Sequence, residues 1–211
     1  MQKKDDLLSR IRAALGRSVG QPPAPLPPPR LRIPEMSVEA RIERFFKNLE
    51  NLAGKTLLAS SLEEARCYVA QLIGEQPAVA SNAPLLRECG ITDLPTVRSG
   101  FACESDLRAA CASAAFGITS ADYALADTGT LVLFSSPEEA RMVSLLPPVH
   151  VAVVPRGRIL TGLDELLTEV PLPADRSSSM LFITGPSRTA DIEQILVRGV
   201  HGPGEIHVIV V

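Results

Sequence analysis

The sequence lacks the features that mark several common classes of protein. No apolar run is long enough to cross a bilayer, and no apolar segment near the start is followed by a small-residue cleavage site. These absences exclude a membrane-spanning protein and predict a cytoplasmic protein without a signal peptide. With 211 residues, of which 45% are hydrophobic, the chain is long enough to bury one substantial core.

Metal-binding and nucleophile motifs are also missing. The cysteines form no C-x-x-C pair and match no zinc or iron–sulfur spacing, and three histidines separated by 51 and 6 residues do not make a metal site. There is no G-x-x-x-x-G-K-[ST] phosphate loop and no G-x-S-x-G nucleophile turn. We expect four small, mostly buried thiols in a reducing compartment: Cys67, Cys89, Cys103 and Cys111.

The start of the chain differs from the rest in charge and composition. Residues 1–32 carry seven Lys or Arg against two Asp, although the whole chain has a net charge of −3. A proline-rich stretch from Pro22 to Pro34 predicts a semi-rigid, extended spacer. Before it, apolar residues at helical spacing predict an amphipathic helix that ends at Gly16. We therefore divide the chain into a helix with linker, residues 1–34, and an α/β domain, residues 35–211.

This basic segment has no interleaved aromatic residues, which disfavours nucleic acid as its partner. An amphipathic helix on a stiff spacer suits docking onto a partner protein or onto a second copy of the chain. A helix that folds back onto its own domain fits the same pattern equally well.

Beyond residue 35, helical patterns alternate with short apolar runs. The runs are continuously apolar, which is typical of strands buried on both faces. We therefore predict an α/β fold with a mixed, mostly parallel sheet flanked by helices. Local signals predict these boundaries: Ser37 and Gly54 at the ends of one helix, Ser61 and Glu64 as a capping box, Ser136, Pro137 and Glu139 at the start of another helix, a tight hairpin turn at Thr128-Gly129, and a helix from about Ala190.

Two glycine-bearing turns are candidate anion sites. A strand runs through Gly185-Pro186-Ser187-Arg188-Thr189 into the helix predicted from Ala190, so unpaired N–H groups, hydroxyls and a guanidinium would meet there. Asp127-Thr128-Gly129-Thr130 offers two hydroxyls and a glycine in a similar way. Residue types alone favour an ordinary strand–helix turn for the Gly185 segment and make the Asp127–Thr130 turn only a weak indication of an anion site. Ligands in such folds bind outside the carboxyl ends of the strands, where we expect these turns and the stretch SLLPPVH to lie.

The three histidines differ in their surroundings. His201 lies between glycines in a loop, which makes it the best acid–base or anion-contact candidate. His150 is expected to cap a strand or to meet a neighbouring carbonyl, and His207 is expected to be a partly buried sheet residue.

Three stretches in series resemble one known family. They are GITSADYALADTGTLVLF, RMVSLLPPVHVAVVP and GPSRTADIEQILVRGVHGPGEIHVIVV, which together cover about the last half of the chain. In order and spacing they resemble the LUD domain of bacterial lactate-utilisation proteins, and the chain length is close to that of the C subunit of that system. The resemblance implies a fold similar to the ribose-5-phosphate isomerase, glucosamine-phosphate deaminase and CoA-transferase group.

The resemblance also implies a role in oxidising L-lactate to pyruvate, alongside two iron–sulfur partner subunits. The longer LUD-bearing subunit has ferredoxin-type cysteine clusters that this chain lacks, so we expect iron–sulfur clusters only in the partners. By analogy with the wider fold group, the favoured pocket for a small carboxylate or phosphate contains these residues: Thr128, Gly129, Thr130, Gly185, Ser187, Arg188, Thr189, Asp191 and His201.

Two other functions fit the same residues. A stand-alone isomerase, CoA-transferase-like acyl carrier or folate cyclo-ligase relative would need an acid–base group or nucleophile from among Asp127, Asp191, Glu193 and His201. A regulatory sensor would bind the ligand without any chemistry.

Overall fold

The computed structural model describes residues 2–18, 20–22, 36–192 and 195–211, with side chains omitted at 2–6 and 190–198. The chain divides into two compact units, Met1–Arg32 and Ile33–Val211. The predicted proline-rich spacer lies largely outside the described residues, as does Glu193.

The first unit contains the predicted amphipathic helix, α1 (Gln2–Ala14). Gly16 follows it with a φ of 62°, the left-handed conformation that suits the residue after a helix end. Leu7 on α1 and Leu15 directly after it are exposed. None of the described helices is both long and apolar enough to span a membrane.

The second unit is built on a six-stranded sheet in which every pairing is parallel. Its strands are β1 (Lys55–Leu58), β2 (Ala78–Ala80), β3 (Val97–Arg98), β4 (Phe116–Ser120), β7 (Val149–Val154) and β12 (Glu205–Val210). They lie in the order β1-β12-β7-β4-β2-β3. The central strands β4, β7 and β12 are buried along most of their length, as their continuously apolar sequences predict.

A second sheet, with four strands, packs near the first. Its strands are β5 (Tyr123–Leu125), β6 (Thr130–Phe134), β8 (Ile159–Leu160) and β9 (Met180–Ile183), in the order β8-β5-β6-β9. The pairs β5–β6 and β6–β9 are antiparallel and β5–β8 is parallel. Apolar side chains of β5 and β6 share one core cluster with those of β7 and β12, so this sheet covers part of one face of the parallel sheet.

Helices pack against both faces of the parallel sheet. They are α2 (Val38–Asn51), α3 (Leu62–Ile73), α4 (Pro84–Glu88), α5 (Glu104–Ser113), α6 (Arg141–Leu145), α7 (Leu163–Glu169) and α8 (Pro173–Arg176). Helices α3 and α4 bury apolar side chains in the cluster on one face of the parallel sheet, and α2 packs into the cluster on the other. The predicted α/β class, with a mostly parallel sheet flanked by helices, is confirmed.

Helix α2 shows how the local sequence sets an element. The Ser37 hydroxyl accepts a hydrogen bond from the Ala40 amide at 3.2 Å, as predicted for a cap. Phe45 and Leu49 are fully buried, and each contributes roughly 1.5–3 kcal/mol through burial. The predicted stop at Gly54 is displaced, because the helix ends at Asn51 and Ala53 takes the left-handed conformation with a φ of 67°.

The helix predicted from Ser136 begins later than expected. The Ser136 hydroxyl accepts hydrogen bonds from the amides of Glu138 and Glu139, so the capping contacts form, but α6 starts only at Arg141. The Glu139 carboxylate instead turns inward and accepts hydrogen bonds from the Ser81 hydroxyl and the Ser120 amide. These long-range bonds hold the residue against the ends of β2 and β4.

The helix predicted from Ala190 is wrong. Residues there form the antiparallel pair β10 (Arg188–Ile192) and β11 (Ile195–Arg198). β-Branched residues are frequent on both strands, which favours strand over helix. The turn after Gly185 therefore precedes a strand, so the predicted site loses the helix N-terminus on which it relied.

Two smaller expectations also need correction. The hairpin between β5 and β6 has a four-residue connection, 126–129, rather than a two-residue turn at Thr128-Gly129. Of the four thiols, Cys89 and Cys111 are buried, whereas Cys67 and Cys103 are exposed.

Candidate functional site

The two glycine-bearing turns predicted from the sequence are neighbours in the structure. The hydroxyl oxygens of Thr128 and Thr130 lie 2.7 Å apart, and Thr130 in turn contacts the hydroxyl oxygen of Thr184 at 2.8 Å. This chain of hydroxyls joins the hairpin connection to the end of β9. The predicted proximity of the turns is therefore present.

The glycines in these turns, however, pack against helix α2. A Cβ atom on Gly129 would lie 2.6 Å from the Leu49 amide nitrogen, and one on Gly185 would lie 3.0 Å from Leu52 Cβ. Both glycines also have positive φ values. The close approach to α2 and the positive φ explain why position 129 requires glycine, without any ligand.

A cavity of about 180 Å³ lies beside the second turn. It opens between the end of β9 and the starts of β7 and β12, so it is at the amino edge of the parallel sheet. Three of the predicted site residues, Gly185, Ser187 and His201, line it. The remaining lining residues are Ser144, Leu145, His150, Phe182, Ile183, Thr184, Pro186, Gly202, Pro203 and Ile206. We call it the amino-edge cavity.

Other predicted residues lie away from this cavity. The Arg188 guanidinium donates a hydrogen bond to the Leu52 carbonyl, and Arg188 is not among the lining residues. Thr189 is in β10, and the side chain of Asp191 lies outside the described part of the chain. Asp127 is exposed, and its carboxylate packs against Gly162. The expected guanidinium is thus absent from the described lining.

The stretches expected at the carboxyl ends of the strands divide between two edges. The closing segment and SLLPPVH precede β12 and β7 and therefore lie at the amino edge. In the first stretch the predicted residues Thr128 and Thr130 lie beside Thr184, next to the closing segment, and it is Ser120 and Asp122, which were not predicted as site residues, that come at the carboxyl end of β4. The expectation of a single carboxyl-edge location is wrong for the other two.

His150 was not predicted as a site residue, but it lines the amino-edge cavity. It is only 1% exposed, and its Nε2 lies 2.8 Å from the Thr119 hydroxyl oxygen. Burial lowers its pKa to about 3, so the imidazole is neutral at pH 7. Its Nδ1 is buried and has no hydrogen-bond partner among the residues that the structure describes. The sequence signal that could have identified it is a histidine within the apolar strand sequence VHVAVV.

The other buried histidine has both ring nitrogens satisfied. His207 Nδ1 lies 2.7 Å from the Tyr68 hydroxyl, and Nε2 lies 2.7 Å from Glu205 Oε1. The expectation of a sheet histidine with a structural role fits this arrangement. Within the described ranges, no cluster of three or more His, Cys, Asp or Glu is placed to hold a metal ion.

Known proteins share both the sequence pattern and the fold. The profile of the LUD domain family matches residues 42–211. Lactate utilization protein C from Halalkalibacterium halodurans is 46% identical over 91 residues, which are 41% of this chain and 40% of the relative. The protein of the same name from Bacillus subtilis is 44% identical over 91 residues, 41% of this chain and 38% of the relative. The chain thus spans about two fifths of the length of these curated relatives.

A solved structure has a similar architecture. The crystal structure of a duf162 family protein from Deinococcus radiodurans superposes with a TM-score of 0.65 at 20% identity, covering 83% of this chain and 99% of that one. At this identity the likeness concerns the fold alone. Because the family profile matches most of its length, the chain belongs to the LUD domain family.

Proposed function

We propose that this protein takes part in bacterial lactate utilisation as an accessory subunit that binds a small carboxylate, such as lactate or pyruvate, in the amino-edge cavity. Membership of the LUD domain family and the names of its curated relatives support this role. In this proposal the chain carries no redox cofactor, and electrons pass to iron–sulfur partner subunits in the cytoplasm.

The unsatisfied imidazole nitrogen of His150 is the observation that carries the ligand proposal. The Thr119 hydroxyl has no hydrogen-bond partner other than His150 Nε2 among the described residues. Donation of its proton to Nε2 places the ring proton on Nδ1, which makes Nδ1 a buried donor without an acceptor. An unmet buried donor costs about 1–3 kcal/mol. A carboxylate or keto oxygen in the cavity would supply the acceptor.

The rest of the cavity suits a ligand of this size and polarity. Its volume of about 180 Å³ equals roughly six times the share of a water molecule in the liquid. Ser187 and His201 offer further polar contacts, while Phe182 and Ile206 give an apolar wall for a methyl group. Neutral donors can hold a carboxylate when they are pre-positioned in a site that excludes water.

Thermal-shift measurements with L-lactate and with pyruvate test the site. We expect each bound ligand to raise the melting temperature with increasing concentration, because it stabilises only the folded state. Ser187→Ala is expected to weaken binding by about tenfold, since hydrogen bonds to a charged group contribute about 1.5–3 kcal/mol. Ser113→Ala, which removes an exposed hydroxyl from α5, serves as the matched control.

The variant Arg188→Ala distinguishes binding in the amino-edge cavity from binding at the site predicted from the sequence. Because its guanidinium contacts the Leu52 carbonyl, its loss should leave the ligand-induced shift intact. A shift abolished by Arg188→Ala, or unchanged by Ser187→Ala, would place the ligand elsewhere and refute the amino-edge cavity.

Co-expression with the two iron–sulfur subunits tests the assembly. We expect a complex that survives size-exclusion chromatography, and we expect deletion of residues 1–34 to weaken it, since that segment supplies the amphipathic helix. An equally stable complex after the deletion argues against docking through the helix. Lactate turnover by the purified chain alone contradicts the accessory role.

A further inference from the structure

A second cavity, separate from the first, lies at the opposite edge of the parallel sheet. Its volume is about 460 Å³, and it sits where β2 and β4 end. Carboxyl ends of parallel strands are the usual ligand position in open α/β sheets. The residues that line it are Ala83, Pro84, Arg87, Ser120, Asp122, Phe134, Ser135, Ser136, Glu138, Glu139 and Arg176. We call it the carboxyl-edge cavity; it shares no lining residue with the amino-edge cavity.

Glu139 supplies the most unusual group in this wall. It is only 8% exposed, and its Oε2 accepts hydrogen bonds from the Ser81 hydroxyl at 2.8 Å and the Ser120 amide at 3.1 Å. Its Oε1 is buried without a hydrogen-bond partner among the described residues. Burial raises the pKa of this carboxyl to about 8, with a smaller contribution from the nearby charge of Asp122.

The pattern of hydrogen bonds locates the proton. Glu139 is protonated at pH 7, and Oε2 already accepts from two donors, so the proton belongs on Oε1. A second polar atom, Ser135 Oγ, is also buried and has no partner in the described part of the chain. Two residues that line one cavity therefore each have a buried polar atom without a partner among the described residues, which is uncommon in native proteins.

Positive charge is available at the same place. The guanidinium of Arg176 is paired with Asp122 and lies 4.3 Å from the centroid of the Phe134 ring. The guanidinium of Arg87 makes neither an ion pair nor a hydrogen bond with the residues that the structure describes. Arg87 is therefore free to meet an anionic ligand, whereas Arg176, which lines the same cavity, is already paired with Asp122.

We propose that the carboxyl-edge cavity is a second ligand site, in which Arg87 binds the oxyanion of a small carboxylate or phosphate compound and the carboxyl group of Glu139 donates a hydrogen bond from Oε1 to another oxygen of the same molecule. This site is independent of the small-carboxylate site proposed above. A neutral carboxyl next to an anion attracts it, whereas an ionised one would repel it, so the site requires Glu139 in its protonated form.

Sulfate and acetate serve as probes of the phosphate and carboxylate alternatives, with binding followed by isothermal titration calorimetry. Arg87→Ala is expected to abolish binding without altering the fold, because its side chain is exposed. Arg66→Ala is the matched control, since it removes a guanidinium that is already paired with Glu63 on α3. Sulfate binding alone assigns a phosphate-type ligand, and acetate binding alone a carboxylate.

The pH dependence distinguishes a role for Glu139 from simple attraction to arginine. A group with a pKa of about 8 falls from roughly nine-tenths to one-tenth protonated between pH 7 and pH 9, so the affinity for sulfate should fall about tenfold. Glu139→Gln keeps a hydrogen-bond donor and should show no such fall. The other charged groups facing this position are Asp122, Glu138, Arg87, Arg141 and Arg176.

Three outcomes overturn the proposal. They are binding of neither probe, binding that survives Arg87→Ala, and an affinity that falls equally with pH in wild type and Glu139→Gln. Because Ser187 does not line this cavity, failure here leaves the result of the amino-edge test unchanged.

Discussion

Replacing Glu139 by glutamine is expected to remove a loss of stability of about 5 kcal/mol that the wild-type protein suffers between pH 4.5 and pH 8. In that window the folded wild type keeps the carboxyl proton, whereas the unfolded chain has released it. The folded state thus binds more protons, so its stability declines as the pH rises through the folded pKa. An amide does not titrate and shows no such decline.

Urea unfolding at four pH values from 5 to 8 measures this effect. The free energy of unfolding of Glu139→Gln, relative to wild type, should increase by roughly 1.4 kcal/mol per pH unit. Taking the difference in free energy of unfolding between the two proteins cancels the contributions of the titrating groups that they share. Glu138→Gln, at the exposed neighbouring position, should follow the wild type. Parallel profiles for Glu139→Gln and wild type would mean that Glu139 is ionised in the folded protein.

Replacing His150 by glutamine is expected to remove a loss of stability that the wild-type protein suffers as the pH falls, whereas the loss caused by Glu139 occurs as the pH rises. The buried imidazole stays neutral down to about pH 3, whereas the unfolded chain takes up a proton near pH 6.5. The folded wild type therefore binds fewer protons in this window, and its stability falls as the pH drops, by roughly 5 kcal/mol in all. The variant lacks this loss, and its amide can still accept a hydrogen bond from Thr119.

The measurement is the free energy of unfolding of His150→Gln relative to wild type from pH 7 to pH 4. The difference should shift in favour of the variant by about 1.4 kcal/mol for each unit below pH 6.5, whatever its starting value. His201→Gln, in the exposed loop, is the control. A constant difference across the range contradicts a neutral, buried His150.

The features that sequence predicted well depend on contacts within a few residues. The Ser37 cap of α2 and the hydroxyl of Ser61, which accepts from the Glu64 amide at 3.1 Å, formed as expected. The Glu64 carboxylate completes the cap through Ser60, one residue earlier than a standard capping box places it. Local chemistry determines these contacts, so the sequence was sufficient to predict them.

The failures involve partners far away in the chain. Glu139 looked like the third residue of a helix cap, but the Ser81 hydroxyl that binds it is 58 residues distant. His150 looked like a strand end, although its contact with Thr119 spans 31 residues. Pairing of distant strands buried both residues and left one atom of each unsatisfied, which no local pattern indicates. The segment after Gly185 failed differently, because its β-branched residues outweighed its capping signals.

One peptide unit of β4 separates the contacts that serve the two cavities. The hydroxyl of Thr119 holds the imidazole of one, and the amide of Ser120 holds the carboxyl of the other. Strand β4 is hydrogen-bonded on both sides, to β2 and to β7, and so cannot shift one of these residues without moving the next. The two proposed sites thus share one strand, and a single peptide unit fixes the position of the imidazole of one relative to the carboxyl of the other.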